Sequence, residues 1–365
     1  MTTAGATRKR SIELDFIRGI ALLLILSFHY RRYDLWFAGP RLQMIQQVGW
    51  SGVDLFFVLS GFLVGGLLMQ EWKSTGCVDA WRFLKRRAFK IWPSYYLLIF
   101  TAACLHVRPL RTFFWQNVLN IQSYVPSSLS HTWSLAVEEH FYLGAAALLW
   151  LWSSRRWSPR LLIGFCITVA IAVELARARA SVLNQPYYYH THMRVDALLL
   201  GLAAAAVKQF EPRIFAMLRE QRWLLALIVA AAALRLAWDP TIEGSPAIIT
   251  EVDWGCLAAL LLLSRPGKQP RGRFYRGLAR LGIYSYGIYL WHLSILRPVD
   301  WVVARTPAKL VPAMSTLLPY AGAAVLGITA TKLVEWPALR LRERLVPPKT
   351  PEPRLPFDTA EFAGN

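Results

Sequence analysis

The chain has 365 residues, of which 55% are hydrophobic and only 17% charged, and its mean hydropathy is +0.33. A soluble domain usually carries about a quarter charged residues; this deficit points to an apolar solvent, and the long apolar runs exclude an ordinary water-soluble enzyme. The formal net charge of +19 would suggest nucleic acid in a soluble chain; here the basic residues sit in the gaps between apolar runs, as the cytoplasmic flanks of membrane helices do, and nucleic acid is not an expected partner.

Apolar stretches recur along the whole sequence and predict an all-α polytopic membrane protein, a bundle of about ten transmembrane helices. In chain order the expected helices are 11–30, 47–70, 83–106, 134–152, 160–176, 193–207, 223–238, 247–264, 281–299 and 316–336. Arg8, Lys9 and Arg10 flank the first as they would a signal peptide, but no small-residue cleavage site follows and Arg18 and His29 lie inside, so it reads as a retained helix. With the N-terminus inside, the cytoplasmic stretches hold 27 Lys and Arg and the opposite side 11. That bias places both termini in the cytoplasm. Residues 1–10 are then a cytoplasmic tail, 11–346 the transmembrane domain, and 347–365, rich in proline and charge, a disordered cytoplasmic tail. No internal repeat is apparent. Cys77, Cys104, Cys166 and Cys256 are too far apart for a zinc motif or a disulfide framework, and no metal is expected.

Ionisable residues inside apolar helices are costly and therefore face the protein interior. In the first helix Arg18 and His29 are eleven residues apart, about 20° around the axis and roughly 16 Å along it. One face thus begins with a cation and ends with an imidazole, as the lining of a passage for an extended ligand would; the alternative pairs Arg18 locally with Glu13, Asp15 or a headgroup. In the second, Asp54 stands near the outer start, and glycines 52, 61, 65 and 66 allow close helix packing. Before and within the third, Arg82, Lys85, Arg86, Arg87 and Lys90 cluster at the inner face, suited to anionic lipid or to phosphates. Pro93, just past the last cation and between aromatics, is expected to hold the start of that helix.

The fourth helix opens HTWSLAVEEHFYLGA, with Glu138 and Glu139 at the level of His29 and Ser134 and Tyr142 a turn away. A histidine with a carboxylate partner suits general base catalysis; an embedded carboxylate also suits a proton relay in a transporter. Arg194 and Asp196 lie at the outer end of the sixth helix. Ser285, Tyr289 and His292 share a face of the ninth, where His292 is expected to support the site. Glu335-Trp336-Pro337 is expected to end the tenth, Pro337 terminating it and Glu335 pairing with the basic loops.

Taken together, LDFIRGIALLLILSFH, GVDLFFVLSGFL, FLKRRAFKIWPSYY, TWSLAVEEHFYL, RVDALLLG, LGIYSYGIYLWH and VEWP resemble the acyltransferase 3 family of bacterial integral membrane O-acyltransferases. The stretches fall in the family's order from residue 14 to about residue 337. The resemblance implies transfer of an acyl group, commonly acetyl, from cytoplasmic acyl-CoA to a hydroxyl. The acceptor would be a glycan, a lipid-linked sugar or another envelope molecule, or the sugar of a small secreted metabolite such as a macrolide. It maps the family's Arg and His onto Arg18 and His29, its basic motif onto Arg86, Arg87 and Lys90 (often Arg in the family), and its glutamate onto Glu138. Acyl-CoA enters as donor substrate, with no tightly bound cofactor, and the protein is expected in the bacterial inner membrane. Many relatives append a soluble esterase-like domain; the expectation here is a stand-alone transferase. In the expected mechanism phosphates rest on Arg86, Arg87 and Arg18, the pantetheine arm runs along the first helix, and His29 oriented by Glu138 takes the acceptor's proton. A transient acyl-histidine is the rival route.

Overall fold

A computed structural model describes residues 10–33, 39–105, 109–238, 244–264 and 272–350, with backbone alone for 39–43. All regular structure among them is helical. Each expected helix is present: Ile12–His29, Ser51–Thr75, Ala80–Cys104, Trp133–Ser154, Pro159–Val182, Val195–Phe210, Arg222–Trp238 and Pro246–Leu263 are the first to the eighth, the ninth begins as Ser285–Trp291 and the tenth as Val311–Ala330. Capping fixes several starts. Ser11, Asp79 and Ser158 accept from the amides of Leu14, Arg82 and Arg160 (3.5, 3.1 and 3.2 Å), satisfying donors that have no partner in the first turn.

Among the described residues four stretches are long and apolar enough to cross a membrane, namely Ser51–Thr75, Pro159–Val182, Pro246–Leu263 and Ala308–Leu345. Pro212–Glu220 and Arg222–Trp238, bent by 67°, make a fifth if counted as one span. Large apolar side chains such as Phe100, Leu143, Leu161, Leu175, Leu227, Leu234 and Val325 are exposed, which suits a surface facing lipid. The count of ten and the sidedness of the termini rest on the charge pattern of the sequence.

Consecutive long helices run in alternating directions, and this gathers their ends into two groups. At one end Arg82 at the start of the third helix pairs with Glu71 near the end of the second (2.5 Å), Val78 binds Ser153 at the end of the fourth (3.0 Å), and Arg160 at the start of the fifth pairs with Glu211 just after the sixth (2.5 Å). At the other, Tyr30 meets Tyr320 and the His292 carbonyl, and Asp54 meets Arg194.

Four sequence expectations change. The ninth helix is broken: Arg273–Ile283 is followed by Ser285–Trp291, a 3-10 turn His292–Ile295 and Leu296–Val303. The first piece docks on the first helix through Gly282 under the Asp15 carbonyl, the second on the tenth through Gly287 against Gly327 and Thr331. Two docking partners five residues apart explain the turn at Tyr284. Pro93 lies inside the third helix rather than at its start. Pro337 does not end the tenth, which passes through a π-turn at Thr331–Glu335 into Trp336–Leu345. The wider turn restarts the helix, and Pro337 falls in the new first turn, where its missing N–H is harmless. Of the expected disordered tail, residues 347–350 are held against the bundle; 351–365 lie outside the described residues, as do 1–9 of the N-terminal tail.

Helix contact depends on small residues, as in membrane bundles generally. A Cβ on Gly61 would lie 2.0 Å from the Leu198 carbonyl oxygen and one on Gly201 2.1 Å from that of Val58, whereas Gly66 has open space. Gly61→Ala should therefore destabilise the purified protein by about 1–3 kcal/mol through overpacking. Thermal unfolding in detergent checks this, with Gly66→Ala unchanged; an unshifted Gly61→Ala midpoint would contradict the packing.

Candidate functional site

A cavity of about 420 Å³ runs between the first, second, third, fourth, sixth and ninth helices and the helix Trp336–Leu345 that follows the tenth. Its cationic portion is lined by Arg10, Arg18, Arg82, Arg86, Arg87, Lys90 and Arg342, and Ser134, Glu138, Glu139, Tyr142 and Tyr289 also face it. Of the residues singled out in the sequence, the structure thus brings together Arg18, Arg86, Arg87, Lys90, Ser134, Glu138, Tyr142 and Tyr289.

The cations differ in how they are engaged. Asp15 binds both Arg10 (2.5 and 2.6 Å) and Arg18 (3.1 Å), so one carboxylate offsets two guanidiniums and the local pairing of Arg18 is realised. Lys90 pairs with Glu335, as expected of that glutamate. Arg86 pairs with Glu343 (2.9 Å) and donates to the Val346 carbonyl. Arg87 makes no ion pair among the described residues; its guanidinium stands 5.4 Å from the ring centres of both Phe83 and Tyr142. At the start of the third helix, the hydrogen bond from Lys349 holds the Asp79 carboxyl below the usual aspartate range.

Facing these, two hydrogen-bonded rows come off the fourth helix. The Tyr142 hydroxyl donates to Glu138 (2.6 Å) and, its proton being used there, accepts from Ser60 (2.8 Å). The Tyr289 hydroxyl donates to the His131 carbonyl (2.6 Å) and accepts from Ser134 (2.6 Å). Glu139 accepts from the Trp92 indole (3.3 Å).

His29 lies one turn beyond Ile25, which lines the cavity, and is not itself a lining residue. Its ring centre is 4.7 Å from that of His292, which is 5.2 Å from His131. Tyr289 joins the two regions, lining the cavity while its ring stands 5.6 Å from His292. His29 Nδ1 bonds the Ile25 carbonyl (3.1 Å). A carbonyl only accepts, so Nδ1 carries the proton and Nε2 is left as the basic nitrogen of the neutral ring. Orientation of His29 thus comes from its own helix; the contacts of Glu138 run to Tyr142. His292 Nδ1 likewise bonds the Tyr289 carbonyl (2.5 Å).

Asp54, Arg194 and Asp196 come together away from the cavity lining. Arg194 pairs with Asp54, and Arg177 reaches Asp196 (2.7 Å) and Asp253 (3.9 Å), all buried. The rings of Trp133 and Tyr188 flank Arg194 at 5.6 and 5.2 Å. This network ties the second, fifth, sixth and eighth helices. His131, Tyr30, Ser60, Arg342 and Glu343 were not picked out from sequence. His131 and Ser60 sit inside the quoted motifs HTWSL and VLSGFL, where a buried polar residue is the available signal. Among the described residues no cluster of His, Cys, Asp or Glu could hold a metal ion.

The sequence profile described as the acyltransferase domain matches residues 11–334, nearly the whole cavity-forming bundle. The chain belongs to this acyltransferase family. With its long apolar helices, that membership makes it a multi-pass protein of the bacterial inner membrane. It is similar to the peptidoglycan O-acetyltransferase OatA of Listeria monocytogenes, 26% identical over 80% of this chain and 50% of that protein. It is also similar to YrhL of Bacillus subtilis, provisionally named a peptidoglycan O-acetyltransferase, 26% identical over 81% of this chain and 49% of that one. A Staphylococcus aureus protein provisionally named an O-acetyltransferase is 25% identical over 80% of the chain and 52% of its own length. The chain spans about half the length of these curated relatives. No solved structure matches it.

The buried network gives a stability test for this acyltransferase bundle. Arg194→Ala strands Asp54 without its cation, which should lower stability by about 3–5 kcal/mol. Replacing both residues with apolar ones of similar size should recover most of that loss in thermal unfolding. A single variant as stable as wild type would show that the pair does not hold the helices.

Proposed function

We propose that the chain transfers an acyl group, acetyl by the names of its relatives, from acyl-CoA to a hydroxyl of an envelope glycan, peptidoglycan being the acceptor those names favour. The observation that carries this reading is one cavity with a surplus of cations at one portion and a hydroxyl- and carboxylate-lined wall leading to a histidine. Acyl-CoA has the matching polarity, with phosphates at one end and a thioester at the other. Arg87 meets the phosphates first, because its fork of donors has no carboxylate to leave among the described residues. Arg18, Arg86 and Lys90 complete the anionic subsite. With N-terminus and basic loops in the cytoplasm, the donor enters from there and only the acyl group approaches the outer side.

His29 is the proposed base. Nε2 takes the proton of the acceptor hydroxyl as its oxygen attacks the thioester carbonyl carbon; the carbon–sulfur bond breaks, and the departing thiolate recovers the proton from the imidazolium. The Ile25 carbonyl holds the tautomer that this requires. Glu138, hydrogen-bonded to Tyr142, whose ring the Arg87 guanidinium faces, acts in the cavity as a charge that orients donor or acceptor. A donor for the tetrahedral oxyanion is supplied if the Ser134 hydroxyl turns its proton from Tyr289, whose own proton stays on the His131 carbonyl.

Two measurements follow. His29→Asn should lower turnover in a CoA-dependent transfer assay on the order of 10²–10⁴-fold while CoA still binds; undiminished turnover removes His29 as the base. Arg87→Ala should raise the KM for acyl-CoA on the order of tenfold, the equivalent of one charge-assisted hydrogen bond, with kcat little changed. An unaltered donor KM would place the phosphates elsewhere.

A further inference from the structure

Several cations at the cavity mouth already hold oxygen atoms, supplied by the segment that follows the last helix. Beyond Trp336–Leu345 the chain turns at Val346 and crosses the start of the third helix. There Arg86 donates to the Val346 carbonyl and to the Glu343 carboxylate (2.9 Å), and Arg82 reaches the Pro347 carbonyl (3.4 Å). Lys349 Nζ binds Asp79 (2.7 Å), and Arg342 and Thr350 line the cavity beside them.

This is an arrangement of oxygen acceptors on guanidinium donors, the same chemistry by which arginine holds phosphate. Its parts are unequal in strength. The Lys349–Asp79 pair is between side chains 53% and 34% exposed, so it is screened and weak. Arg86 is nearly buried, and Glu343 is shared between it and Arg342 (2.5 Å). A polyphosphate brings more negative charge than one carboxylate and can satisfy the same N–H groups without moving the guanidinium.

We propose that residues 343–350 form a strap that competes with the donor's phosphates. Closed, it occupies Arg86 and one nitrogen of Arg82, whose other nitrogen stays on Glu71 (2.5 Å); open, it releases the Arg86 donors it holds to the ligand first captured by Arg87. The strap rests on the proposed donor site. It also predicts a definite sign: donor affinity is reduced by the fraction of molecules with the strap closed, so weakening the strap tightens binding.

The test is CoA binding by the purified full-length chain in detergent, followed by tryptophan fluorescence or calorimetry, with inorganic pyrophosphate as a second probe. Lys349→Glu, which sets two like charges at Asp79, and Glu343→Gln should each lower the Kd for CoA roughly fivefold, the equivalent of one weak ion pair. Lys349→Arg should leave it unchanged. Pyrophosphate should respond in the same direction, since the competition is for phosphate-binding donors. Wild-type binding of CoA that is unaltered or weakened in both variants overturns the strap alone. Failure of the wild type to bind CoA removes the donor site, and the strap with it.

Discussion

A charge in hydrocarbon must be paired or turned towards the protein interior, and this constraint organises the molecule. At one end of the bundle it produces a dense set of ion pairs, in which Asp15, Glu71, Glu335 and Glu343 answer Arg10, Arg18, Arg82, Lys90 and Arg86. At the other it produces the buried network of Asp54, Arg194, Arg177, Asp196 and Asp253. The two sets differ in their surroundings. The second is closed off among packed helices, and its burial suits a structural tie. The first opens on a cavity and has more cations than carboxylates, which is the condition for binding an anion from outside the chain.

Arg87 and His29 show the difference between holding and reacting groups. Arg87 rests against aromatic rings, which support a cation without consuming its hydrogen-bond donors. His29 has one nitrogen committed to its own helix and the other left basic. Tyr289 lines the same cavity as Arg87, its hydroxyl fixed by Ser134 and by the His131 carbonyl and its ring beside His292, the neighbour of His29. A change at Tyr289 would therefore reach both the cavity wall and the histidine cluster.

Much of this was legible in the sequence. Apolar runs located every long helix; the eleven-residue spacing of Arg18 and His29 suggested that both line one passage, whereas Arg18 lines the cavity and His29 lies one turn beyond Ile25, outside its lining. The partner of His29 was not legible. Sequence spacing puts Glu138 at the same depth, but depth along a bundle does not fix direction around it, and Tyr142, four residues on from Glu138, lies on the same face and takes its carboxylate. The break at Tyr284 and the passage through Pro337 were also hidden, because each depends on which neighbour a glycine or a π-turn meets. The contacts of residues 347–350 lay in a stretch whose composition alone suggested disorder.

The central claim is that one cavity aligns an elongated thioester between cations and a histidine. The most direct test is an experimental structure of the chain with CoA bound. The account predicts the diphosphate against Arg87 and Arg86 and the sulfur beside Tyr289 and Ser134, pointing towards His29. CoA bound outside this cavity, or lying in it with its sulfur among the arginines, would contradict the account.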